Sequence, residues 1–166
     1  MQSYKSLNNI NQIIDNYDAF IIDIWGVLWD GIEAYKYAKL TLKKLKEKNK
    51  NIILLSNAPR RAKIVSDKLS SIGINNNLYD YIVSSGEVCR EECLSNKKKL
   101  SLLGENYYFI GQELDKGIAA NLEIKEVSSI DKSSFVLVCG TRDFDHTLSN
   151  YKRELNEALK YNLPLV

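Results

Sequence analysis

Apolar residues along this chain recur in two rhythms, short continuous runs and spaced stripes, and the two alternate. Ala19 to Ile22 is a continuous run of mostly β-forming residues, which suits a strand covered on both faces in a parallel sheet. It leads into Asp23 and then a glycine-marked loop from Trp25 to Ile32. Glu33 to Lys48 reads as a helix, because Ala34, Ala38, Thr41, Leu42 and Leu45 share one face. Ile52 to Leu55 is a second strand that delivers Ser56-Asn57 at its carboxyl end. Ala58-Pro59-Arg60 starts another helix, with Pro59 near its first turn, a buried stripe of Ala62, Val65, Leu69 and Ile72, and Gly73 as its C-terminal cap. Tyr81-Ile82-Val83 is a third strand, and Ser84-Ser85-Gly86 leads into a helix over Glu87 to Leu94. The weakly patterned residues 1–17 predict a short N-terminal helix across the sheet edge.

Asn96 to Gly104 is rich in Lys and Ser and reads as a linker, after which the alternation resumes. Tyr107–Ile110, Asn121–Val127 and Phe135–Cys139 are strand candidates, and Glu113–Ala120 is a helix weakened by Gly117. Leu148, Tyr151, Leu155, Ala158 and Leu159 form the stripe of an amphipathic helix. Leu163-Pro164-Leu165-Val166 reads as the start of a further strand. Strands alternating with helices at this spacing argue for an α/β fold built of right-handed βαβ units on a parallel sheet.

Composition narrows the functional classes. A net charge of +2 makes no case for nucleic acid, and the Lys43, Lys44, Lys46, Lys48 and Lys50 stripe lies at a helix end, where cations suit the dipole and the solvent face. No apolar run approaches a membrane span, and the first residues lack the apolar core of a signal peptide, so a cytoplasmic location is the expectation. The three cysteines read as buried or half-buried thiols, not a disulfide framework. Cys89 and Cys93 share a helix face, yet the single His146 is too remote to complete a metal site with them.

Asp23 is the first candidate for chemistry. Open α/β sheets bind ligands at the carboxyl ends of their strands, where Asp23 is expected; a simple strand-end cap is the competing reading. The pattern Asp23-x-x-Gly26-Val27-Leu28-x-x-Gly31, followed by a helix and Ile52-Ile53-Leu54-Leu55-Ser56-Asn57, resembles the haloacid dehalogenase superfamily. More closely it resembles the class IIA branch, that of the nucleotide phosphatase NagD. The resemblance implies a Rossmann-like parallel sheet, present in part over residues 1–98, and the first part of an inserted C2-type α/β cap over 99–166. It implies further that the rest of the cap, the family's basic residue and its second acidic motif would follow Val166.

The chemistry implied is phosphoryl transfer from a small phosphorylated metabolite to Asp23 with Mg²⁺. By resemblance, Asp23 and the Trp25 backbone carbonyl are metal ligands, the Ser56 hydroxyl and Asn57 N–H hold phosphate, and Gly26 completes the cradle. One departure stands out: the family's general acid/base lies two residues beyond the nucleophile, and that position is Trp25, which can neither give nor take the proton. Asp143 and Asp145 precede a helix, where N-capping, favourable dipole placement and loop structure account for them; contact with substrate in the cap is the alternative, and a metal the least favoured.

The expectation is therefore an N-terminal portion of a Mg²⁺-dependent phosphomonoester phosphatase, inactive alone, with weak or absent Mg²⁺ binding. Its partner is expected to be a second copy or a complementing fragment, because half a sheet leaves apolar surface uncovered. The rival is a non-catalytic pseudoenzyme or gene remnant that binds phosphate or a partner chain. A dinucleotide-binding or receiver-like domain fits less well: the first strand-to-helix turn has no Gly-x-Gly-x-x-Gly, and a receiver would not be followed by a linker and a second set of strands.

Overall fold

A computed structural model describes residues 6–166; the expected N-terminal helix begins outside them, and the described part of it is two single 3₁₀ turns, Ile10–Gln12 and Ile14–Asn16. The chain folds as two compact α/β units, one running to Ser56 and including Lys63–Val83, the other made of Asn57–Ala62 and Ser84–Val166.

In the first unit, β1 (Ala19–Asp23), α1 (Ala38–Glu47), β2 (Asn51–Ser56), α2 (Ala62–Ser71) and β3 (Tyr81–Ser84) follow one another, and the strands lie in the order β1-β2-β3. β1 and β2 run parallel, with Ile21 opposite Ile53 and Asp23 opposite Leu55. Leu42 and Leu45 of α1 and Ile52 and Leu54 of β2 are fully buried, and Val65 and Leu69 of α2 join them in the core. α1 starts five residues later than its stripe predicts. The segment before it is taken up by a turn in which Tyr35 N–H donates to Leu28 C=O (3.0 Å) and Trp29 bridges Ala34. α2 likewise starts at Ala62, not at Ala58, and it ends before Gly73, whose φ of +86° suits the expected glycine stop.

β1 is not covered on both faces, as its continuous apolar run predicts. Phe20 and Ile22 are half-buried, while Ile21 is 69% exposed. Leu55 of β2 and Tyr81 and Val83 of β3 are exposed alternates of the same kind. Among the described residues no helix covers these side chains, so the strands are apolar on both faces but buried on one.

The second unit holds α3 (Ser85–Cys89), which runs on into a π turn over Arg90–Leu94, then α4 (Lys97–Leu103), β4 (Asn106–Ile110), β5 (Lys125–Glu126), β6 (Phe135–Val138) and α5 (Leu148–Lys160). β5 and β6 flank β4, both parallel to it. The expected linker is a helix: the Asn96 side chain accepts from Lys98 N–H (3.1 Å) and caps α4, while Leu100 and Leu103 pack on the core of Leu94, Phe109, Phe135 and Leu137. Tyr107 stacks on Phe135 within that core. Pro164–Val166 pairs with β6 as predicted for a strand start, with Val136 N–H donating to Pro164 C=O (2.9 Å) and Val138 N–H to Val166 C=O (2.8 Å). Among the described residues no helix is long and apolar enough to cross a membrane.

Candidate functional site

Asp23 closes β1, and its side chain is exposed at the carboxyl end of the strand. Its Oδ1 accepts the N–H of Ile24 (2.8 Å), which fixes the carboxylate relative to the backbone; among the described residues Oδ2 makes no such bond. Because Asp23 stands opposite Leu55, the next residue of β2, Ser56, lies at the same carboxyl edge of the sheet. Ser56 is buried. The position follows from register alone: two parallel strands starting one opposite the other end together.

The loop after Asp23 is a compact turn organised by one carbonyl. Ile24 C=O accepts from Val27, Leu28 and Trp29 N–H at 3.4, 2.9 and 3.2 Å, and Gly26 N–H donates to Trp29 C=O (2.8 Å). Gly26 takes a φ of +78°, which favours glycine, and a Cβ there would meet nothing within 4 Å. Its N–H is thus already bonded inside the loop, and a phosphate at Gly26 would have to replace Trp29 C=O as its acceptor. Trp25 is bridged to Trp29 within this turn, yet neither its own N–H nor its own C=O enters a backbone bond among the described residues.

The Trp25 side chain folds back over the loop. Its ring meets Trp29 edge-on, centroids 4.9 Å apart, and lies against Gly31, where a Cβ would come within 2.9 Å of it. Trp29 in turn sits under Lys68 Nζ, 5.2 Å from the ring centroid. Its indole N–H is buried without a partner among the described residues. Asp30, the next carboxylate after Asp23 in the chain, is turned to its own backbone: Oδ1 accepts from Ile32 and Glu33 N–H, both at 2.8 Å. Those two bonds, Glu33 first, hold its carboxyl below the usual range.

Asn57 opens a loop that belongs to the second unit. Its C=O accepts the Ser85 hydroxyl (2.9 Å), which also reaches Ala58 C=O (3.0 Å). Ser84, fully buried, donates its hydroxyl to Arg60 C=O (2.6 Å) while capping Glu87 N–H (3.2 Å). Glu87 takes Arg61 Nε on both carboxylate oxygens, 2.8 and 2.9 Å, and that ion pair holds its carboxyl below normal. Gly86 leaves no room for more, since a Cβ would lie 2.4 Å from Arg60 N. Ser84, Ser85 and Glu87 were legible only as a helix start, through the Ser-x-x-Glu capping spacing; nothing in the sequence says that they also fasten residues 57–61.

Two sequence expectations need correction or sharpening. Asp143 and Asp145 do not cap α5: Thr147 does so, in a capping box with Asn150, and Asp143 instead accepts His146 N–H (3.2 Å) through its backbone carbonyl. The aspartates sit in the preceding turn, where Arg142 pairs with Glu154 (2.6 Å) and Tyr151 OH contacts His146 Nδ1 (2.7 Å). The cysteines are free and half-buried, and burial first of all pushes Cys89 up to about 11 and Cys139 up to about 12, so neither is a reactive thiolate.

Among the described residues no three His, Cys, Asp or Glu side chains converge as a metal cage. The two oxygens that the resemblance assigns to a cation, Asp23 Oδ2 and the Trp25 carbonyl, are hard donors that make no hydrogen bond among the described residues. That donor set fits Mg²⁺, which keeps most of its waters and takes few protein ligands.

Comparison with known proteins adds a consistent picture. The profile of the haloacid dehalogenase-like hydrolases matches residues 20–154. Phosphoglycolate phosphatase 1A, a chloroplastic protein of Arabidopsis thaliana, is 29% identical over 72% of this chain and 32% of its own length. A haloacid dehalogenase-like hydrolase of Brucella suis superimposes over 96% of this chain and 58% of its own, with a TM-score of 0.82 and 29% identity. NagD from Escherichia coli K-12 shares the fold at 17% identity and a TM-score of 0.57, over 87% of this chain and 52% of its own. The chain thus spans about a third of that curated relative and little more than half of either solved chain.

Proposed function

Because the chain belongs to the haloacid dehalogenase-like hydrolase family, we propose that it carries the phosphoryl-accepting portion of a phosphomonoester phosphatase, with Asp23 as the nucleophile. The observation that supports this most is the placement of Asp23. Its carboxylate is exposed at the carboxyl end of β1, oriented by Ile24 N–H, and the register puts Ser56 at the end of the adjoining strand. A carboxylate in that position is a competent nucleophile toward phosphorus once its charge and that of the phosphate are offset.

Asp23 Oδ2 and the Trp25 carbonyl would hold Mg²⁺. When bound, the ion supplies the positive charge that lets two anions approach and that stabilises the equatorial oxygens. The Ser56 hydroxyl and Asn57 N–H hold the phosphate. The parallel three-stranded sheet of the second unit, with a core of its own, takes the part of the cap in substrate selection. The substrate class is a small phosphomonoester; phosphoglycolate names the curated relative, of which this chain spans about a third.

The test is release of nitrophenolate from 4-nitrophenyl phosphate with and without Mg²⁺. Asp23-dependent, Mg²⁺-dependent release is expected, and Asp23→Asn abolishes it. Release that survives in Asp23→Asn would remove Asp23 from its role.

A further inference from the structure

The loop beside the nucleophile holds no group that can move a proton. From Ile24 to Trp29 the residues are Ile, Trp, Gly, Val, Leu and Trp. The residue two beyond Asp23 presents an indole that is packed on Trp29 and Gly31. Asp30, the first carboxylate after it, is engaged by two backbone N–H groups of its own turn. Those bonds also lower its pKa, which keeps it ionised and makes it a weak base. The Lys68 ammonium lies over the Trp29 ring, 5.2 Å from its centroid.

Resting on the reading of Asp23 as nucleophile, we infer that the chain accepts a phosphoryl group only from donors with good leaving groups and then keeps it, as a long-lived phospho-Asp23. The two half-reactions have different proton needs. In the first, an Asp23 carboxylate oxygen attacks phosphorus, and the bond from phosphorus to the leaving oxygen breaks with its electron pair going to that oxygen. An aryloxide or a carboxylate, from an aryl phosphate or an acyl phosphate, departs as a stable anion and needs no proton. An alkoxide, from a sugar or glycerol phosphate, must be protonated as it leaves, and nothing in the loop supplies the proton.

In the second half-reaction a water oxygen attacks phosphorus, the bond to Asp23 breaks, the carboxylate returns and the water must lose a proton. No residue of the loop accepts it. General acid–base help is worth ~10²–10⁴ in rate, so the second step slows by about that factor while the first, with these donors, is largely spared.

The experiment treats the full chain with acetyl phosphate or 4-nitrophenyl phosphate and Mg²⁺, and reads it by intact mass and by nitrophenolate release. One phosphoryl group per chain, mapped to Asp23, removed by hydroxylamine and absent in Asp23→Asn, is expected, with a single equivalent of nitrophenolate released in a burst. Glycerol phosphate should leave the mass unchanged. Trp25→Asp should shorten the life of the adduct by about 10²-fold. The wild-type burst decides the matter independently should that variant not fold. Continuous turnover without an adduct overturns this inference and leaves the phosphatase reading standing. Neither adduct nor nitrophenolate, or an adduct on another residue, overturns both.

Discussion

Gly31→Ala tests whether the loop geometry around Trp25 is what the structure says it is. Two costs follow from the coordinates. Gly31 has a φ of +109°, outside the regions that an L side chain adopts readily, and forcing alanine there costs about 1–3 kcal/mol. The new Cβ would also lie 2.9 Å from Trp25 Cη2 and 3.2 Å from Cζ2. That ring is 57% exposed, so it swings outward instead of resisting, and what it loses is the edge-on contact with Trp29, about 0.5–1.5 kcal/mol. The total is about 1.5–4.5 kcal/mol, large against the stability of a small domain. Urea unfolding of Gly31→Ala, Trp25→Ala and the double variant separates the two. With Trp25 truncated, Gly31→Ala should cost only the backbone part, which leaves a coupling of about 0.5–1.5 kcal/mol between the sites. The chain has two tryptophans, so steady-state emission reports the same event, and a red shift in Gly31→Ala marks Trp25 leaving the loop. Stability within about 0.5 kcal/mol of the parent, or unchanged emission with no coupling, would show that Trp25 does not rest on Gly31.

Three further outcomes follow from the same structure. Gly86→Ala places a Cβ against the backbone of Pro59 and Arg60, which cannot yield as a side-chain end would. It should destabilise the chain by about 1–3 kcal/mol in denaturant titration, and no loss would contradict the packing of residues 57–61 on α3. Glu154 is held below the usual carboxyl range by the Arg142 guanidinium first and then by Tyr108 OH. A depressed pKa adds stability above the unfolded-state value and loses it as pH falls through the folded one. The Tm of the parent should therefore fall more steeply on the acid side than that of Glu154→Gln, and parallel curves would refute the pairing. Ile21 and Tyr81 leave large apolar side chains about 70% exposed on the first sheet. The double variant Ile21→Lys/Tyr81→Lys should scatter less light at equal concentration, and equal scattering would mean that this surface does not drive association.

Most of the strands were legible because each is a short apolar run closed by a turn residue; β5, the two exposed residues Lys125–Glu126, is not. The periodicity could not show how many faces of a strand would be covered. Ala19–Ile22 reads the same whether one face is buried or two, and Ile21 differs from Ile22 only in what packs against it. The reading of residues 96–104 as a linker failed for the opposite reason. Three consecutive lysines gave the segment a polar start, while Leu100, Leu103 and the Asn96 cap that make α4 a helix fall in a run too short to show a period. Tertiary burial of Leu100 and Leu103 outweighed the polar bias.

The candidate site divides along the same line. Asp23 and Ser56 could be found because strand ends are where an open sheet offers its carboxyl edge, and both ends are written in the local sequence. The fastening of residues 57–61 by Ser84, Ser85 and Glu87 joins positions about 25 residues apart, and no local rhythm encodes such a pairing. Trp25 lies between these cases. Its identity was visible at once as a departure from the pattern the chain resembles. That its ring packs on Trp29 and Gly31, and that Asp30 is bound to its own turn, are matters of distance and hydrogen bonding that no local rhythm of the sequence carries.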